Sequence, residues 1–172
     1  MLTQYCTMAT DVFPIPVPCP GTLMQMPHPK GGSSLPASIE CLRQQGVHHL
    51  VSMLRTEEAQ HLGLEHEEAL FVKAGGRFTS FAIPDLQLPD NARGFLALAD
   101  ELANQLRGGA VIAVHCRAGI GRSGMLSCAT LVNLGFSIAD AQQHVSEHRG
   151  HRVPETPEQV KWLQEHLTEN QE

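Results

Sequence analysis

Positive charge, long apolar runs and paired cysteines are what this sequence has least of. Lys and Arg together number 12 against 18 Asp and Glu, a formal charge of -6. That balance speaks against nucleic acid or an anionic membrane surface as the main partner, because both reward basic patches. A local basic pocket remains open. No uninterrupted apolar run approaches the roughly 18 residues of a membrane span. No Lys or Arg precedes Lys30, so the positively charged start of a secretory signal is missing, and a cytoplasmic location is the expectation. The cysteines Cys6, Cys19, Cys41, Cys116 and Cys128 form no C-x-x-C pair and no zinc-like spacing. Neither a disulfide framework nor a structural metal is suggested, and mostly reduced thiols are expected.

What is there fits one domain. A chain of 172 residues buries a single good core. Residues 1–34 are rich in Pro and Gly ("FPIPVPCPG", "MPHPKGGSS") and read as an arm or edge strands. Pro14, Pro16, Pro18 and Pro20 also allow a polyproline ligand, with edge packing preferred. From Leu35 the pattern alternates over residues 35–172, the proposed catalytic domain. "SLPASIECLRQQG" reads as a helix, "VHHLVSML" as a strand, "EEAQHLGLEHEEALFVKAGG" as helical pieces and "RFTSFAI" as a strand. "DNARGFLALADELANQLRGG" has a helical apolar period, an N-cap assigned to Asp90 and a glycine stop. "AVIAVHC" is an almost wholly apolar strand, as expected of one covered on both faces. Three helices follow: Arg122 to Leu134, Ser137 to His148 with the capping pair Ser137 and Asp140, and Thr156 to about Thr168. The expected fold is α/β, a single layered domain with a central, mostly parallel sheet flanked by helices.

Chemistry concentrates after the apolar strand, in "HCRAGIGRSG". Ligands of open α/β sheets sit at the carboxyl ends of strands, which is where this loop lies. Gly119 and Gly121 let the backbone curl so that successive N–H groups point inward, and the helix beginning near Arg122 adds its positive end. The result is an anion cradle built from Arg117, Ala118, Gly119, Ile120, Gly121 and Arg122. A cysteine at its mouth is expected to ionise readily, since helix termini and nearby cations stabilise a thiolate. The planar fork of Arg122 suits two oxygens of a tetrahedral oxyanion. Ser123 can donate a hydrogen bond to the sulfur.

With His115 before it, the Cys-x5-Arg-Ser loop resembles the signature H-C-x-x-G-x-x-R-[ST] of the cysteine-dependent protein tyrosine phosphatase superfamily. The resemblance is closest to compact dual-specificity-like members, among them the cyclin-dependent-kinase-associated branch and bacterial relatives. It implies Cys116 as nucleophile, Arg122 as phosphate holder, Ser123 as a partner of the sulfur and an Asp as general acid. "SFAIPDLQLPD" offers Asp85 and Asp90; Asp85 has the Pro-Asp context and a spacing like that of the compact members, whereas Asp90 is explained as an N-cap. His115 is expected to orient the loop. "ETPEQ" resembles the segment that positions water in larger relatives, with Glu155 replacing the first Gln and Gln159 retained; Thr156, Pro157 and Gln159 also make an ordinary helix start.

The implied function is a phosphoprotein phosphatase acting on phosphotyrosine, and in a wider range on phosphoserine and phosphothreonine, through a cysteinyl phosphate. It needs no cofactor and no metal; its partner is a phosphorylated protein, with no nucleic acid and no membrane. His144, His148 and His151 invite a metal reading that no known ligand motif supports. Two alternatives stay open. One is a phosphatase for inositol phosphates, phosphoinositides or RNA 5′-phosphates, and the other a non-catalytic phosphate-binding adaptor.

Overall fold

The computed structural model describes residues 10–168. Five strands form one sheet in the order β1 (Phe13–Ile15), β2 (Thr22–Met26), β5 (Val111–His115), β3 (His49–Ser52), β4 (Arg77–Ser80). β1 runs antiparallel to β2, and the other neighbours are parallel. Pro14 is tolerated because β1 is an edge strand, where a missing N–H breaks no ladder. The Pro-rich arm therefore supplies both an edge strand and, in β2, an interior one.

Alternation along the strands sorts side chains to two cores. On one face Leu23, Val51, Ile112 and Val114 pack against α4 (Ala92–Arg107), α5 (Arg122–Asn133), α6 (Ile138–Arg149) and α7 (Pro157–Thr168). On the other, Met24, Met26, Leu50 and Ala113 meet α1 (Leu35–Gln44) and α3 (Glu67–Lys73). The short α2 (Thr56–His61) follows β3. Covered on both sides, β5 needs apolar residues at nearly every position, and it has them. It also lies between β2 and β3, which are not neighbours of each other, so the chain winds away from it in both directions. A crevice opens at such a point, and the loop after β5 fills it.

Two expectations change at the level of single residues. The N-cap of α4 is Asn91, whose Oδ1 accepts from Gly94 N–H at 2.9 Å. Asp90 therefore has no capping role, and the reason for setting it aside as an acid has to come from the site geometry. Cys41 is disulfide-bonded, so free thiols among the described residues are limited to Cys19, Cys116 and Cys128. Cys6 lies outside the described residues.

Candidate active site

β5 ends at His115 and α5 begins at Arg122, which leaves residues 116–121 as a loop seated on the amino end of a helix. Gly119 has φ +71, and a Cβ there would stand 2.4 Å from the Met26 carbonyl carbon, so the loop needs glycine at that point on both counts. Three successive carbonyls face away from the loop's interior. Arg117 O accepts from His28 N–H at 3.2 Å, Ala118 O from Arg149 at 3.0 Å, and Gly119 O from Gln25 Nε2 at 2.9 Å and Arg149 Nε at 2.8 Å. Because C=O and N–H point oppositely across a trans peptide, these outward carbonyls turn the N–H groups of Ala118, Gly119 and Ile120 inward. Arg149 is itself pinned, with its guanidinium 3.9 Å from the Phe13 ring centroid.

Cys116 lies at the floor, almost fully buried, with Sγ 3.2 Å from Ser123 Oγ. Arg122 and Arg149 both feel the charge of the sulfur, which works to keep their guanidinium groups protonated. For Arg149 burial outweighs that attraction, and its pKa is lowered. Beneath the floor His115 is inaccessible to water. Its Nδ1 lies 3.2 Å from Cys116 O, and its Nε2 lies 2.6 Å from Glu67 Oε1, whose side chain is only 3% exposed. Burial alone pushes His115 toward the neutral form. The Glu67 carboxylate overrides it, and the His115 pKa is raised.

Arg122 is 1% exposed and held on three sides. Its terminal nitrogens donate to Glu58 Oε2 at 2.7 Å and Oε1 at 3.0 Å, to Ile83 O at 2.8 Å and to Asp85 Oδ1 at 3.1 Å. The bidentate fork to Glu58 fixes the guanidinium plane. Burial disfavours an ionised Glu58, but Arg122 outweighs it and holds the carboxyl below its usual range. Arg122 in turn loses by burial and gains more from Glu58, Cys116 and Asp85, so its pKa is raised.

Asp85 sits in a turn closed by Gln87 N–H donating to Pro84 O at 3.0 Å. Its side chain is half-exposed and on Arg122, a contact that Asp90 does not make. Gln159 joins this loop to the helix start at Thr156. Its Nε2 donates to Gln87 O at 3.2 Å, its Oε1 accepts from the N–H groups of Glu155 and Thr156, and it lies against Gly121. Arg117 is exposed at the outer edge, with its charge felt at Glu58. Among the described residues no group of histidines, cysteines and acids is arranged to hold a metal ion: His144 Nε2–H donates to Pro16 O at 2.6 Å, and its ring is tilted 52° against that of His148.

The structure thus brings together Cys116, Ser123, Arg122, Asp85, His115, Gln159 and the cradle. It adds four residues that sequence reasoning missed: Gln25, Glu58, Glu67 and Arg149. Gln25 alone left a trace, as a polar residue inside an otherwise apolar strand. Chemically, such an arrangement can hold a dianion against inward amides and a fixed guanidinium, with the Cys116 sulfur and the Asp85 carboxyl group at the same cradle.

Comparison with known proteins bears on the fold and the family. The fold is similar to that of kinase associated phosphatase, solved with its catalytic-site cysteine replaced by serine, at 18% identity and a TM-score of 0.85 over 95% of this chain and 97% of that one. A mutant form of Tk-PTP matches at 26% identity and a TM-score of 0.70, over 86% of this chain and 90% of that one. PTPMT1 in complex with PI(5)P matches at 20% identity and a TM-score of 0.70, over 86% and 90%. No helix among the described residues is long and apolar enough to cross a membrane. Residues 24–136, well over half the chain, match the model of the family described as Tc-R-P, polymorphic toxin system, DSP-PTPase phosphatase, and the chain belongs to that family of phosphatases.

Proposed function

We propose that this phosphatase hydrolyses phosphotyrosine in proteins, with phosphoserine and phosphothreonine as further substrates, through a cysteinyl phosphate. The observation that carries the reading is the convergence on one cradle of the Cys116 sulfur, the Arg122 fork and the Asp85 carboxyl. Cys116 Sγ attacks phosphorus in line, an S–P bond forms, and the P–O bond to the leaving group breaks. Asp85 gives its proton to the departing oxygen. Water then attacks phosphorus, Asp85 takes its proton, the S–P bond breaks, and inorganic phosphate leaves with the thiolate restored. Ser123 supports the sulfur as attacking and leaving group, His115 holds the loop from below, and the amides of residues 117–121 carry the equatorial oxygens.

Arg122 has five N–H donors. Glu58 and Ile83 occupy one side of the fork, so phosphate has to take Nε and the donor now given to Asp85. Substrate entry therefore releases Asp85 from Arg122, which frees the acid for the leaving oxygen in the same step. Gln159, bonded to the backbone of the acid loop, keeps that loop and the segment at Glu155 in register around the attacking water. The phosphorylated protein meets the site as a soluble partner in the cytoplasm.

The expected result is turnover of para-nitrophenyl phosphate by reduced protein in EDTA, with Asp85→Asn slower by about 10²-fold or more, the usual weight of general acid catalysis. The loss should be larger for a phosphotyrosine peptide, whose leaving oxygen is more basic than para-nitrophenolate. An equal loss with both substrates would remove Asp85 from the acid role. The similarity to PTPMT1 with its bound PI(5)P keeps a phosphoinositide reading in view. Faster turnover of inositol phosphates than of phosphopeptides would favour it, and phosphate binding with no turnover would favour an adaptor.

A further inference from the structure

Behind the floor of the active site, Glu67 has one carboxylate oxygen engaged and one to spare. Its Oε1 lies on His115 Nε2, and among the described residues nothing hydrogen-bonds its Oε2. A carboxylate offers about four lone-pair sites. Leaving them empty away from bulk water costs free energy unless a further donor reaches them. Room for such a donor is present. A cavity of about 220 Å³ opens between α2, α3 and the strands β3 and β4, and Glu67 lines it. Acids in the first turn of a helix are ordinary, and Glu67 and Glu68 both stand in the first turn of α3. That accounts for the residue type but not for a carboxylate only 2% exposed at the wall of a cavity.

The lining selects by charge and by size. Glu65 and Glu68 join Glu67 around the cavity, and no Lys, Arg or His lines it. Leu54, Leu64 and Phe78 add apolar wall. A metal ion does not suit it, because among the described residues no three His, Cys, Asp or Glu are grouped to hold one. Water fits, at about 30 Å³ a molecule, but brings no charge to the acids. An ammonium or guanidinium head on a small apolar body answers both the carboxylates and the apolar wall. We propose that this cavity is a regulatory site for a small organic cation, which binds Glu67 through its charged head and slows turnover at Cys116 without competing with phosphate. The coupling runs through a short chain of contacts. Glu67 Oε1 holds His115 Nε2, and His115 Nδ1 lies 3.2 Å from Cys116 O. A cation on Oε2 draws carboxylate charge away from the imidazole, so the hold on His115, and through it on the Cys116 backbone, slackens. Neither Arg122 nor any of residues 116–121 lines the cavity, so phosphate binding is left as it was.

The test uses benzylamine, protonated at neutral pH, and benzyl alcohol, which has the same shape without the charge. Calorimetry on the full chain is expected to show benzylamine binding at millimolar concentration and benzyl alcohol weaker by about tenfold or more, the scale of one hydrogen bond to a charged group. Saturating benzylamine should lower kcat for para-nitrophenyl phosphate about fivefold and leave KM unchanged. Glu67→Gln keeps the cavity and removes the charge, whereas Ala59→Leu keeps the charge and fills part of the cavity. Each should weaken benzylamine about tenfold. Ala59 is half-buried on α2 and lines the cavity away from the His115 pair, so its variant decides the matter if Glu67→Gln proves unstable. No binding of benzylamine overturns the proposal, as do equal binding of the alcohol and undiminished binding by Ala59→Leu. Full occupancy with an unchanged rate overturns it too, and so does a rise in KM at constant kcat, which would put the amine at the cradle. Calorimetry needs no turnover. A wild type that binds benzylamine and hydrolyses nothing would fail the phosphatase reading and the coupling while the cation site stood; one that hydrolyses and does not bind would fail this proposal alone.

Discussion

Cys116→Ser is expected to lower kcat for para-nitrophenyl phosphate at least about 10⁴-fold, the scale on which removal of a nucleophile acts. The substitution barely changes shape, but a serine hydroxyl is a far weaker nucleophile than a cysteine sulfur, so the attacking group is lost. Binding is expected to survive. The inward amides of Ala118, Gly119 and Ile120 depend on carbonyl contacts to His28, Gln25 and Arg149, and the Arg122 plane depends on Glu58; neither passes through the sulfur. Inorganic phosphate should therefore bind the variant about as tightly as the wild type, which calorimetry reads directly. A residual rate within tenfold of wild type would sink the cysteinyl-phosphate route. Cys128 supplies the internal control, because burial pushes its thiol up to about 12. Iodoacetate at neutral pH should label Cys116 and spare Cys128, and vanadate should protect against labelling.

Glu67→Ala is the second large effect, and it acts on stability. Glu67 and His115 form a buried pair at 2.6 Å beneath Cys116. Removing one member of such a pair costs about 3–5 kcal/mol, because the other is left buried without its partner. For a chain of this size each kcal/mol moves the melting temperature by about 2–4 °C, so a fall of roughly 6–20 °C is expected. A fall under about 3 °C would mean that the pair contributes little. The milder Glu67→Gln keeps an acceptor and gives a sharper reading through pH. In the wild type the His115 pKa is raised. Its contribution is complete below the unfolded value of about 6.5 and is lost as pH rises through the raised native value. Without the Glu67 charge, burial and the nearby Arg122 cation both favour neutral imidazole, while only the uncharged acceptors, Cys116 O and the introduced amide oxygen, favour the cation. The native pKa then lies below the unfolded one, and stability is lost as pH falls below about 6.5. The variant's melting temperature should therefore decline toward acid where the wild type gains from this group. Parallel profiles for the two proteins would contradict the charged pair.

The Cys116 and Glu67 variants probe two layers of one site that were not equally visible in the sequence. Cys116, Ser123 and Arg122 stand within one short loop, and their chemistry depends on a local turn, an apolar strand and a helix start. Asp85 was visible for the same reason, since Pro-Asp after a strand is a local pattern. The ground for preferring it to Asp90 had to change, because Asn91 and not Asp90 caps α4, and what separates the two is the Asp85 contact with Arg122. The α/β class was legible because a strand covered on both faces must be apolar throughout, and β5 is.

Tertiary structure decided what touches that loop from outside. Nothing in "LEHEEAL" separates Glu67 from Glu65 or Glu68; each is an acidic residue near a helix start. Parallel pairing of β3 with β5 puts Ser52 opposite His115, and the chain beyond β3 then brings Glu67 to the imidazole. The same applies to Glu58, which reads as a solvated helix residue until α2 lands against Arg122, and to Arg149, which reads as a helix-end cation until α6 carries it behind the cradle. A nucleophile and its phosphate loop can be written into a dozen consecutive residues because backbone geometry is local. The charges that hold Arg122, His115 and the loop carbonyls in place come from elements 30 or more residues away, as the sequence separations of Arg122 from Glu58 and of Arg149 from Gly119 record. Only the folded packing of the sheet and helices determines which of many similar acids and bases those will be.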